Sequence, residues 1–324
     1  MELQINKSPN GVLNKESKVN DVRFIESNTQ PVSLEEIRGK HLVPVFVKDN
    51  TSTISQADFI SSTMDIIGEL SGKHTTNLGI RVSHPIKGRI FSARNKIASE
   101  LLDEEKTIYY ERMAFSFDIP GYTEVVNGKE VSLSVIGVKA YNNDNLSGYG
   151  NGFQRFKLGI GQKVKVCTNM CLFTDGTSLD IKVRSLEELE GEVATLINQT
   201  DFAGQIQALE QLDEYYLTQK QFATLLGKSR MYNHLPKTFK KEIPELLISD
   251  SQISTVTKSY YNDSRFPKNE DQGISLWNLY NHYTGALKSS YIDSFIDRNL
   301  NAFRFTQGLK DALDGEGAYQ WFLS

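Results

Sequence analysis

Apolar and polar residues alternate through most of 107–173, and after Asp180 the apolar period lengthens to helical spacing. The chain therefore predicts strands first and helices afterwards. In "TIYYERMAFSFDIP", Tyr109, Met113, Phe115 and Phe117 fall on one strand face. Asn127-Gly128 stands between two apolar runs, and both residues tolerate the positive φ of a tight two-residue hairpin. In "FQRFKLGIGQKVKVC", Phe156, Leu158 and Ile160 share a parity, Gly159–Gly161 predicts a turn, and Val164 and Val166 resume beyond it. The expected product is an antiparallel sheet with one buried face.

Upstream, "HLVPVFVKDN" predicts a strand and "SQADFISSTMDIIGEL" a helix, with Ser55 as its cap and Phe59, Ile60, Met64, Ile67 and Leu70 inward. "NLGIRVSHPIKGRIF" has strand and turn chemistry, because Pro85 and Gly88 interrupt the alternation. A short helix is expected from Ser92, with Ile97 and Leu101 on one face. Downstream, Ser185 with Glu188 and Thr218 with Gln221 have capping-box spacing. "YYNDSRFPKNEDQG" reads as an exposed loop. Beyond it, Leu276, Leu279, Tyr280, Tyr283 and Leu287 form one helical face with Ser275 as N-cap. Ile292, Phe295, Ile296, Asn299 and Phe303 form a second, so Gly285 or Lys288–Ser290 marks a kink or joint. The expected fold is α+β: an N-terminal antiparallel sheet with flanking helices, then a mainly helical C-terminal half. The division is a flexible arm over 1–30, a sheet region over 31–184, and a helical region over 185–324 packed on the sheet.

Composition changes this picture little, but charge adds to it. With 324 residues, 39% of them apolar, the chain can bury a sizeable core. It has no apolar run long enough for a membrane helix and no signal-like leader, so a cytoplasmic location is expected. Cys167 and Cys171 have no second pair to complete a zinc site, and "GYGNG" at 148–152 lacks the Lys-Ser/Thr of a phosphate-binding loop. Neither metal nor cofactor is expected. The net charge of −4 divides into 0 over 1–30, +2 over 31–184 and −6 over 185–324. A polyanion would favour the middle segment.

Two cation sets stand out there. Arg81, Lys87, Arg89, Arg94 and Lys96 gather around the expected helix at Ser92, where free amides would add to an anion site. Glu100 and the acidic run 103–105 are the neutralising alternative. Arg155, Lys157, Lys163 and Lys165 share the parity opposite Phe156 and Leu158, in a stretch with no acidic residue between Asp144 and Asp175. Such a row can follow a phosphate backbone or simply protect a sheet edge. A separate polar set, His84, Asn278, His282, Asp293 and Asp297, would serve an enzyme only if its members converged. "LTQKQFATLLGKSRMYNHLP" begins like a helix-turn-helix, yet Pro236 falls where a recognition helix should continue.

The segments "RVSHPIKGRI", "YYERMAF", "GVKAYNNDNL", "VCTNMCLFTDG", "QFATLLGKSRMY" and "LWNLYNHYTGALKSSYIDSFIDR" together resemble an uncharacterised bacterial family of phage- and plasmid-associated proteins, a domain of unknown function. The resemblance runs from about residue 31 to the C-terminus. It implies a mobile-element setting, and since the family has no established catalytic residues, none is carried onto this chain. The leading expectation is a non-catalytic protein that binds single-stranded DNA or RNA, or processed ends, through the two cation sets. The alternatives are an enzyme acting on nucleic acid or a phosphorylated small ligand, and an interaction protein whose acidic helical half engages and inhibits a host or mobile-element protein.

Overall fold

The computed structural model describes residues 22–40, 53–144 and 152–324. The strand expected over 41–50 and most of the 148–152 loop lie outside these residues. In chain order the elements begin with β1 (Gln30–Pro31), α1 (Leu34–Lys40), α2 (Gln56–Ser71), β2 (Thr76–Val82) and β3 (Pro85–Arg89). The hairpins follow as β4 (Lys106–Tyr110), β5 (Arg112–Val126), β6 (Lys129–Ala140), β7 (Gln154–Val164), β8 (Asn169–Cys171) and β9 (Thr177–Val183). The helical half contains α3 (Leu186–Gln199), α4 (Phe202–Gln211), β10 (Tyr216–Leu217), α5 (Gln219–His234), α6 (Lys237–Lys240), α7 (Asp250–Asn262), β11 (Ile274–Ser275), α8 (Leu276–Leu287) and α9 (Ile292–Leu313). The class is α+β.

Local chemistry explains many of the boundaries. Ser55 caps α2 with a reciprocal Asp58 bond, and Thr218 caps α5 in the same way with Gln221. Asn127 (φ 48°) and Gly128 (φ 73°) both occupy the left-handed region, as a two-residue hairpin between β5 and β6 requires. α5 runs unbroken through Gly227 to His234 and stops before Pro236, so the helix-turn-helix pattern forms one straight helix.

Among the described residues, a seven-stranded antiparallel sheet runs β1-β2-β5-β6-β7-β8, with β9 also paired to β7. Met113, Phe115, Phe117, Leu133, Val135, Phe156 and Leu158 fill one face against α2 and α3. The opposite face carries Ala114, Ile136, Val138, Met170 and Leu172, which pack on Ile292, Phe295 and Ile296 of α9 and on Phe24 and Ile25. The expectation of a single buried face is therefore corrected: helices cover both. At the C-terminal end of the 1–30 segment, Phe24 and Ile25 are fully buried and Glu26 N donates to Lys288 O at 2.8 Å. "TIYYERMAFSFDIP" also divides, since β4 pairs with β3 in a separate two-stranded sheet while β5 joins the main one.

The expected turn at Gly159–Gly161 does not form, and β7 continues straight through both glycines. Their role is close approach. A Cβ on Gly161 would lie 2.2 Å from Cys171 O of the neighbouring strand. Gly161→Ala should force β8 away from β7 and lower stability by about 1–3 kcal/mol in denaturant unfolding. Gly191→Ala, at an open position in α3, should instead stabilise by about 0.5–1 kcal/mol.

Candidate functional site

The cation row of β7 is neutralised by partners from distant parts of the chain. Arg155 Nε lies 3.8 Å from Asp180, and Lys157 Nζ donates to Asp297 Oδ2 at 2.6 Å and to Asp293 O at 2.7 Å. Lys163 is buried and pairs with Asp118. That carboxylate also accepts from Ser134 Oγ at 2.6 Å and Asn77 Nδ2 at 2.9 Å. Lys165 pairs with Glu130. Because α9 lies across this face, the row is not an open track for phosphates.

The upstream set is also dispersed. Arg81 sits buried on β2 and donates to Thr29 Oγ1 (3.0 Å) and Thr29 O (3.2 Å). Lys87 is exposed on β3, in the other sheet. Arg89 donates to the Lys96 carbonyl, and Lys96 Nζ meets Glu105 at 2.5 Å. Arg94 is exposed. The helix expected from Ser92 is absent. Three 3-10 turns, Phe91–Ala93, Ala98–Glu100 and Asp103–Glu105, replace it. Ile97 is 60% exposed, so it gains little packing to support a helix. Without a helix start, the proposed amide contribution to anion binding is lost, and the acidic run neutralises part of the cluster.

The polar set separates into distinct places. His84 is exposed in the turn between β2 and β3. Asn278 Nδ2 donates to Pro267 O at 2.7 Å, while His282 is buried one turn further along α8 and hydrogen-bonds to the Phe266 backbone. Burial holds the imidazole neutral, with its pKa pushed down to about 4. Asp293 faces Arg112 at 3.3 Å, and Asp297 faces Lys157, both on the sheet side of α9. These residues do not form one pocket. Burial also raises the thiol pKa values of Cys167 and Cys171, so neither is activated as a thiolate.

The motifs "VCTN" and "LWNLYNHYT" instead build a joint. Lys288 Nζ donates to the Cys167 carbonyl and, at 2.9 Å, to Thr168 Oγ1 in the β7–β8 turn. Asn169 Nδ2 donates to Asn281 O at 2.9 Å. The αL conformation of Thr168 (φ 57°) gives this turn the shape that brings it onto α8.

A different cationic surface emerges from the helical half. Residues 218–268 carry nine Lys or Arg against four Asp or Glu, whereas the rest of 185–324 carries four against fifteen. Averaging over the whole half concealed this contrast. Phe222 stacks on Tyr260 at 4.3 Å and Arg230 grips Asp250 at 2.7 and 3.0 Å, so α5 and α7 pack antiparallel. Asp263 is likewise held by Arg265 at 2.7 Å. Lys220, Lys258 and Lys268 are exposed near one end, with Tyr261 63% exposed beside them. Lys237 and Lys241 are exposed near the other end, with Phe239 at 60%.

Among the described residues, no three His, Cys, Asp or Glu side chains converge as metal ligands, and no helix is long and apolar enough to cross a membrane. The family described as "Domain of unknown function, B. Theta Gene description (DUF3871)" matches residues 7–323. No curated protein and no solved structure matches the chain. Since the family match spans nearly the entire length, this protein belongs to the DUF3871 family.

Proposed function

We propose that this protein is a non-catalytic nucleic-acid-binding protein of mobile genetic elements, and that the α5–α7 layer receives a single strand. The observation that carries the reading is the alternation of exposed lysines with exposed rings: Lys220, Lys258 and Lys268 around Tyr261, and Lys237 and Lys241 around Phe239. Lysines supply phosphate contacts, and rings stack on bases that a duplex would hide. Asp250 and Asp263 do not oppose a phosphate, because Arg230 and Arg265 already neutralise them. The surrounding acidic surface disfavours polyanions elsewhere and so restricts them to this layer. The motif resemblance supports the mobile-element setting.

Fluorescence anisotropy with labelled single-stranded DNA, single-stranded RNA and duplex DNA tests this reading. Single strands should bind at micromolar protein, and affinity should fall with salt by an amount matching about 3–5 neutralised phosphates. Lys237→Glu with Lys241→Glu should weaken binding about tenfold and reduce the salt slope, and Tyr261→Ala should weaken it without changing that slope. Lys165→Glu should leave both unchanged. Binding that is absent, or insensitive to salt, would reject the proposal.

A further inference from the structure

Strand β5 loses register between Asp118 and Thr123, where Gly121 adopts φ +83°. This irregularity turns Tyr122 out of the ladder and toward Phe202 at the start of α4, with ring centroids 6.4 Å apart. Beneath and beside the two rings lies a cleft of about 390 Å³, lined by Tyr122, Leu133, Gln162, Phe202, Ile206 and Glu210. That volume is within the range of small-molecule sites, about 300–1,000 Å³.

A polar side chain also borders the cleft. Gln162 is only 3% exposed, yet its side-chain amide borders the cleft and has no hydrogen-bond partner among the described residues. An amide that borders the cleft without a protein partner is placed to meet a ligand. The charged residues that line the cleft are Glu124 and Glu210, both exposed. Lys73 Nζ lies 4.9 Å from the Tyr122 ring centroid, so a ligand's cation is directed away from that ring and toward the carboxylates. A phosphate would be repelled by them, so this cleft is separate from the surface proposed for nucleic acid.

We propose that the cleft binds a small organic cation: an ammonium or guanidinium group on an apolar or aromatic stem that also carries a hydrogen-bonding group. The stem lies alongside Tyr122 and Phe202 and over Leu133, the cation meets Glu124 and Glu210, and the polar group reaches Gln162.

Isothermal titration with tyramine and agmatine tests the assignment, with tyrosol and para-hydroxyphenylacetate as neutral and anionic counterparts of tyramine. Tyramine should bind with a Kd of about 1 mM or tighter, and the anion should not bind. Glu124→Gln with Glu210→Gln, at exposed positions, should weaken tyramine at least about fivefold and leave tyrosol unchanged. Gln162→Leu should weaken both phenols while retaining the wild-type unfolding midpoint. Equal binding of tyramine and para-hydroxyphenylacetate, no effect of the carboxylate substitutions, or no amine binding at about 10 mM would overturn the assignment. Each result is independent of any nucleic-acid titration.

Discussion

Asp144→Ala is expected to lower the unfolding free energy by about 3–5 kcal/mol near neutral pH, because it strands a buried ammonium. The Lys139 and Asp144 side chains are both 0% exposed and meet at 2.5 Å. Asp144 Oδ1 also accepts Arg155 N at 2.7 Å, and Lys139 Nζ lies 4.0 Å from the Phe156 ring centroid. Burial lowers the Lys139 pKa to about 8, against a partial upward pull from Asp144. Between that value and the ordinary 10.5, the unfolded chain holds more protons than the folded one. Stability from this group therefore rises with pH through that window and falls as pH drops through about 8. Removing the carboxylate takes away the upward pull, so relief of the destabilisation should begin at lower pH. Guanidinium unfolding at about pH 7 and about pH 9.5 should show a larger deficit at the lower pH. A paired Lys139→Met, Asp144→Leu change should recover most of the loss, since apolar replacement of a buried pair is often neutral. A deficit below about 1 kcal/mol in Asp144→Ala at neutral pH would contradict this account.

Acidification should remove about 3 kcal/mol of stability through His282 alone. Its ring is 2% exposed, and burial lowers its pKa from 6.5 to about 4. Asp263 pulls the value upward and Arg265 pushes it down, while the Phe266 backbone bond favours the protonated form. The folded pKa is the lower one, so the unfolded state binds the extra proton between about 4 and 6.5. The contribution is complete above 6.5 and is lost as pH falls toward about 4. Urea unfolding across that range should give a shallower pH slope for His282→Gln than for the wild type. Identical slopes would show that the imidazole is not the group responsible.

The helix starts were legible because their chemistry is local: Ser55, Ser185, Thr218 and Ser275 each accept a hydrogen bond from the residue three places ahead. The Asn127-Gly128 turn was legible for the same reason. The neutralisation of the β7 row was not, since Lys157 meets a carboxylate 140 residues away and Lys163 meets one across two strands. Strand parity states which side chains share a face and nothing about what covers that face. Gly159 and Gly161 read as a turn because a sequence cannot show the neighbouring strand that demands their lack of a Cβ. The α5–α7 cations were visible as residues, but their surface depends on Arg230 and Arg265 occupying the nearby acids.

Phe24 and Ile25 share one apolar layer with Ile292, Phe295 and Ile296, nearly the whole length of the chain apart. During ribosomal synthesis, the sheet strands emerge long before α9 exists to cover Ile136, Val138 and Leu172. A nascent chain halted after β9 would present that bare layer to the cell, where it would recruit chaperones or aggregate. Closure of the first half thus waits on the last α-helix to be translated.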